Sequence, residues 1–222
     1  DEAYEHALKL AEERSLTFIH PFNDPILAAG QGSIAMEIVQ ELPLVDIILV
    51  PIGGGGLATG VSTLAKMLNP RISVIGVEPA GAACMKASLE AGHVVKLPSV
   101  NTIADGTAVL EPGDQIHFPT IQENIDDIIT VEDDELIVAF LDMVESHKMI
   151  VENSGLLTVA ALKHLNVQGK KSGFHFIGWQ HGCNHYVFSG STWPHSTRPY
   201  LYCFSTAPRS SWRIGTSCSN YC

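Results

Sequence analysis

The chain has 222 residues, 45% hydrophobic and 17% charged, enough for a full core in an ordinary globular fold. Its net charge of −11 opposes nucleic acid or an anionic membrane surface as partner. No apolar run approaches the ~20 residues that span a bilayer, the charged opening at Asp1 is no signal peptide, and the missing initiator Met reads as a fragment.

Asp1 to Ser15 has a helical pattern, and His20 and Asp24 then flank prolines in a loop where a structural role outweighs a chemical one. Gly32 to Leu42 is expected as a helix with Ile34, Ile38, Val39 and Leu42 on one face. Val45 to Ile52 is short, continuous and rich in β-branched residues, as a buried strand is. It runs into Gly53, Gly54, Gly55 and Gly56, after which Val61, Leu64, Ala65 and Leu68 repeat at helical spacing. Such a unit leaves several backbone N–H groups free, with no Cβ in the way, at the positive end of a helix dipole. That is an anion cradle, and phosphate is its usual occupant. A plain tight turn needs fewer glycines than four. Neither familiar glycine pattern fits: no Lys-Ser/Thr follows, as a P-loop requires, and Gly53, Gly55 and Val61 do not make GxGxxG.

The remaining elements alternate: a strand at Ile72 to Val77, a short helix at Met85 to Ala91, a strand at Asp127 to Thr130, a helix at Asp133 to Ser146 whose first-turn acids suit its dipole, and a helix at Gly155 to Leu165. Alternation of this kind predicts an α/β fold with a parallel sheet covered on both faces. Ligands in such folds sit beyond the carboxyl ends of the strands, where the glycines lie.

Composition then breaks after Lys171. Residues 1–171 hold all 24 Asp and Glu, whereas Ser172 to Cys222 contains no Asp, Glu or Lys but all three Trp and four of the five Cys. His175, His181, Cys183, His185 and Cys203 lack zinc-like spacing, and a disulfide framework contradicts the cytosolic look of the first part.

Five stretches carry a resemblance: HPFNDPILAAGQGSIAMEI, PIGGGGLATG, VEPAGAACM, TIADGTAV and IVENSGLLTVAAL. In this order and at these separations they resemble the second half of the threonine dehydratase (threonine ammonia-lyase) and serine racemase family of fold-type-II pyridoxal-phosphate enzymes, across residues 1–171. The resemblance implies a partial large domain of the tryptophan-synthase-β-like kind. It implies that Gly53, Gly54, Gly55, Gly56 and Leu57 hold the 5′-phosphate of pyridoxal 5′-phosphate, that Gly106 lies near its ring, and that Glu152 is a nearby carboxylate. Taken without the family, Ala104-Asp105-Gly106 is equally an Asp-Gly turn, and Glu152 a solvated acid at a helix N-terminus. Glu78 and the Ala82 carbonyl match two positions of a divalent-cation site in some racemases, but Cys84 stands where that site has Asp, against a hard cation. The family's cofactor-bearing lysine belongs to a Ser-x-Lys-x-Arg-Gly segment, and no lysine of this chain sits in such a context, so no catalytic residue is assigned.

The family continues past this point with a strand and Ser-Gly-Gly-Asn, where this chain reads SGFHFIGWQHG. One extra A in the run encoding Lys170 and Lys171, with a suitable choice of synonymous codons, lets the following residues be re-read as VVSILSGGNMDV and onward into a stretch resembling an ACT regulatory domain. Residues 1–171 are therefore expected to be a partial catalytic domain and 172–222 a frameshifted, irregular tail. The implied parent is a cytoplasmic, homo-oligomeric threonine (serine) ammonia-lyase that releases ammonia and a 2-oxo acid from a small amino-acid substrate. A serine racemase-like enzyme and a non-catalytic phosphate-binding fragment are the alternatives.

Overall fold

A computed structural model describes residues 2–20, 22–114 and 116–165, and beyond them three strands within 172–205. Helix α1 (Glu2–Glu13) is followed by α2 (Pro25–Glu41), β1 (Ile47–Pro51), α3 (Gly56–Leu68), β2 (Ser73–Pro79), α4 (Cys84–Ala91), α5 (His117–Asn124), β3 (Asp127–Val131), α6 (Asp133–Glu145) and α7 (Asn153–Ala161). The three strands pair in parallel in the order β1-β2-β3, with Leu49 opposite Ile75 and Val77 opposite Ile129.

Period-2 alternation in these strands sorts their apolar side chains onto two faces. Ile47, Leu49, Ile75 and Val77 pack with Leu136 and Met143 of α6 and Leu156 of α7. Ile48, Val50 and Val74 pack with Ile38 of α2, Val61 of α3 and Ile121 of α5. The parallel sheet is thus covered on both faces, as the sequence predicts. Between α2 and α3 the backbones come close: a Cβ on Gly60 would run into the carbonyl of Ala28.

Two elements differ from the sequence reading. Helix α2 begins at Pro25 rather than Gly32, because Asp24 is its N-cap and accepts the N–H groups of Ile26 (2.8 Å) and Leu27 (2.9 Å), with Pro25 preset for the first turn. Asp24 therefore has the structural role expected of it. So does His20, whose Nδ1 accepts the N–H of Asn23 at 2.9 Å. Helix α5 was hidden by Pro119, a breaker in a helix interior but tolerated here in the first turn. Replacing Asp24 with Ala is expected to lower the unfolding free energy by about 1 kcal/mol; an unchanged denaturation midpoint would contradict the capping role.

Within the tail the structure describes β4 (Ser172–Phe176), β5 (Asn184–Gly190) and β6 (Tyr200–Ser205), paired antiparallel in that order. Strands stand there where the sequence suggested irregularity. The physical reason is local: Tyr200, Tyr202 and Phe204 recur at period two, and aromatics and Val187 suit a pleated surface. Lys170, Lys171, His181 and Cys183 lie outside the described residues. Among the described residues no helix is long and apolar enough to cross a membrane.

Candidate functional site

The carboxyl end of β1 delivers the chain into Gly53–Gly56, and helix α3 starts at Gly56 with Gly55 as its N-cap. Gly55 has φ +101°, in the left-handed region that favours glycine, and it offers no side chain to cap the helix. The first N–H groups of a helix have no intrahelical partner. Among the described residues none accepts from the N–H groups of Gly53 to Leu57, although Gly54, Gly55 and Gly56 are buried. Buried donors without acceptors are rare, and a row of them at a helix N-terminus suits an anion.

The surroundings leave little room for a side chain on the loop. A Cβ on Gly53 would stand 3.1 Å from the Cα of Thr107, one on Gly55 3.0 Å from the Cβ of His117, and one on Gly56 2.8 Å from the carbonyl oxygen of Phe22. A Cβ on Gly54 would collide with the Phe22 ring. The Gly54 carbonyl is fixed by the N–H of Gly113 at 2.9 Å. Over this loop lies a cavity of about 90 Å³, lined by Gly53 to Leu57, Phe22, Gly106, Thr107 and Ser154 among others. That is several times the ~10–15 Å³ one water needs by the same measure. The cradle therefore fits a phosphate group in donors, charge and space.

Gly106 belongs to a short 3-10 turn, Asp105–Thr107, that faces the glycine loop. The segment before it is held from two helices: Asp133 accepts the Thr102 hydroxyl (2.7 Å) and the Ile103 N–H (3.1 Å), and the Asn153 amide donates to the Ile103 carbonyl (2.9 Å). A side chain on Gly106 would meet Oε1 of Glu152 at 2.6 Å and Oγ of Ser154 at 2.9 Å. The fold thus brings Gly53–Leu57, Gly106 and Glu152 into one neighbourhood. Glu152 is the exposed N-cap residue of α7, in contact with Gly106 and absent from the cavity lining. Its carboxyl is pushed above the usual range, first by desolvation and then by the Asp105 charge, with the Ser154 hydroxyl acting the other way.

Glu78 sits elsewhere and is fully buried. Its two oxygens accept the N–H groups of Met85 (2.8 Å) and Lys86 (2.9 Å), so it caps α4 from the end of β2. Burial raises the Cys84 thiol to about 12, with the Glu78 charge adding to it. Among the described residues no group of three or more His, Cys, Asp and Glu could hold a metal ion. Sequence reasoning did not single out Phe22, Thr107, Ser154 or His117. Phe22, Thr107 and Ser154 lie within the stretches that carry the resemblance, without a role of their own there; nothing in the local pattern marks His117.

Residues 1–173 match the family described as pyridoxal-phosphate dependent enzyme. An L-threonine ammonia-lyase of Thermotoga maritima is 44% identical over 172 residues, covering 77% of this chain and 43% of that protein. The biosynthetic L-threonine dehydratase IlvA of Escherichia coli is 43% identical over 175 residues, covering 77% and 34%. Among solved structures, the threonine deaminase of T.th. superposes with a TM-score of 0.69 at 37% identity, over 72% of this chain and 54% of that one. Maize serine racemase gives 0.68 at 37%, over 71% and 49%. The chain spans less than half the length of these two curated relatives.

Proposed function

The chain belongs to the pyridoxal-phosphate dependent enzyme family, and from that membership we propose that it is the phosphate-holding part of a threonine (serine) ammonia-lyase, which turns the amino acid into a 2-oxo acid and ammonia. The observation that carries this reading is the row of unpaired N–H donors from Gly53 to Leu57 at the start of α3, those of Gly54, Gly55 and Gly56 belonging to buried residues. Pyridoxal 5′-phosphate, when bound, supplies an electron sink that makes the substrate Cα proton removable. The residues of this chain hold and shape its site. The amides of Gly53, Gly54, Gly55, Gly56 and Leu57 hold the phosphate, and the α3 dipole favours its charge. Gly106 and Thr107 form the opposite wall, and Glu152, with its raised affinity for a proton, stands behind Gly106. The relatives' names support threonine as substrate. A serine racemase-like enzyme is the second reading, favoured by the equal identity to the maize racemase.

The reading is tested with 4′-deoxypyridoxine 5′-phosphate, which lacks the aldehyde and so cannot modify surface lysines. Titrated into the full chain, it should shift the amide resonances of Gly53 to Leu57 more than any others. Undisturbed glycine amides would overturn the assignment.

The same proposal divides the chain into a partial catalytic domain, residues 1–171, and a frameshifted tail, 172–222. The end of the family match at residue 173 supports that boundary, and the nucleotide sequence around the codons for Lys170 and Lys171 tests it. The parent is taken as cytoplasmic and homo-oligomeric. Among the described residues no lysine lines the cavity; Lys66 is held by the Ile72 carbonyl and Asp126, and Lys163 by Glu135. This chain, supplied with pyridoxal 5′-phosphate and threonine, should release no ammonia. Measurable release would reveal a surrogate lysine.

A further inference from the structure

We propose that His117 is a positioning residue for the phosphate cradle, tying the Phe22 segment and helix α3 together so that the glycine loop keeps its shape without touching the ligand. The proposal rests on the phosphate reading above. His117 opens α5 and is fully buried. Its Nε2 lies 2.6 Å from the carbonyl oxygen of Phe22, an atom that can only accept, so Nε2 carries the hydrogen. In the neutral ring Nδ1 is then an acceptor, and the Thr59 hydroxyl donates to it at 3.0 Å. Burial lowers the pKa of this ring, outweighing the opposite pull of the Phe22 carbonyl, which favours the neutral form that the two bonds need.

Both partners bear directly on the cradle. Thr59 lies in the first turn of α3, and its N–H closes onto the carbonyl of Gly55 at 2.8 Å. Phe22 lays its ring against Gly54 and its carbonyl oxygen against Gly56. The ring is also braced edge-on by His20, with centroids 4.8 Å apart and planes at 87°. The imidazole thus joins three pieces of chain that are distant in sequence, and its Cβ fills the space beneath Gly55. His117 itself is not among the residues that line the cavity. Without it the Phe22 carbonyl keeps only the local N–H of Asp24 at 3.0 Å, and the segment that covers Gly54 and Gly56 loses its hydrogen bond to α5.

The test compares His117→Leu, His117→Asn and His117→Gln in the full chain, titrated with 4′-deoxypyridoxine 5′-phosphate and, separately, with inorganic phosphate. Gln carries an amide to the reach of Nε2 and keeps a donor for Phe22; Asn reaches only the Nδ1 position beside Thr59. Leu and Asn should weaken both probes roughly tenfold, with Gln within about threefold of the parent chain. Equal affinities for the Asn and Gln variants, or a Leu variant as tight as the parent, would overturn the positioning role while leaving the phosphate reading intact. A parent chain that binds neither probe overturns both. Should the Leu variant fail to fold, the Asn and Gln pair decides alone.

Discussion

Replacing Gly55 or Gly54 with Asp is expected to abolish binding of phosphate-bearing ligands, in this chain and in any full-length parent. At Gly55 two effects add. The backbone sits at φ +101°, where a side chain is strained, and the new Cβ would lie 3.0 Å from that of His117. The carboxylate would also stand among the donors that should receive the phosphate. Two unit charges about 5 Å apart repel by about 3 kcal/mol at an effective dielectric of 20, which is a loss of more than about a hundredfold in affinity before strain is counted. Gly55→Ala separates the two contributions, since it keeps the strain and omits the charge. At Gly54 the obstacle is the Phe22 ring, which must leave before any side chain fits. Calorimetric titration with 4′-deoxypyridoxine 5′-phosphate reads the result directly, with circular dichroism checking the fold. Asp variants that bind as tightly as the parent would remove the glycine loop from the site.

The glycine loop was legible because four adjacent glycines between a β-branched run and a helical period exceed what a turn requires and leave a row of bare amides. The two-faced sheet was legible for a related reason: Ile47 to Pro51 is buried throughout, and a strand buried on both sides must be apolar at every position. Of the walls only Gly106 is legible, and that through the resemblance; Phe22 and Thr107 are not. Phe22 and Thr107 reach the loop from positions 31 residues before and 54 residues after Gly53, and no local period encodes such a meeting. His117 shows the same limit more sharply, since a buried histidine is identified by its two partners and neither is near it in sequence. The Asp24-Pro25 pair reads as a loop in the sequence, but its capping chemistry starts α2 seven residues before the expected Gly32.

Glu78 offers a second large effect, on stability rather than binding. By resemblance it pointed to a cation site, yet both its oxygens are engaged by the first turn of α4, with nothing of it exposed. Burial raises its pKa from 4.5 to about 7, although the two backbone N–H groups and the Lys86 charge pull the other way. An acid whose folded value lies above its unfolded one makes the native state hold the proton longer. Its contribution to stability is therefore fully present below about pH 4.5 and is lost as pH rises through about 7. A rise of that size corresponds to about 3 kcal/mol between the two limits. His117 works in the opposite sense, because burial lowers its value and the unfolded chain takes up its proton first. The comparison is accordingly made within a pair. Urea denaturation of the parent and of Glu78→Gln at pH 5 and pH 8 should show the stability difference between the two proteins shifting by about 2.5 kcal/mol in favour of the variant at the higher pH. Gln has no proton to lose there, whereas the parent must carry a buried charge against α4. A difference that stays constant from pH 5 to pH 8 would mean that Glu78 titrates as an ordinary surface acid and that its place beneath α4 is wrong.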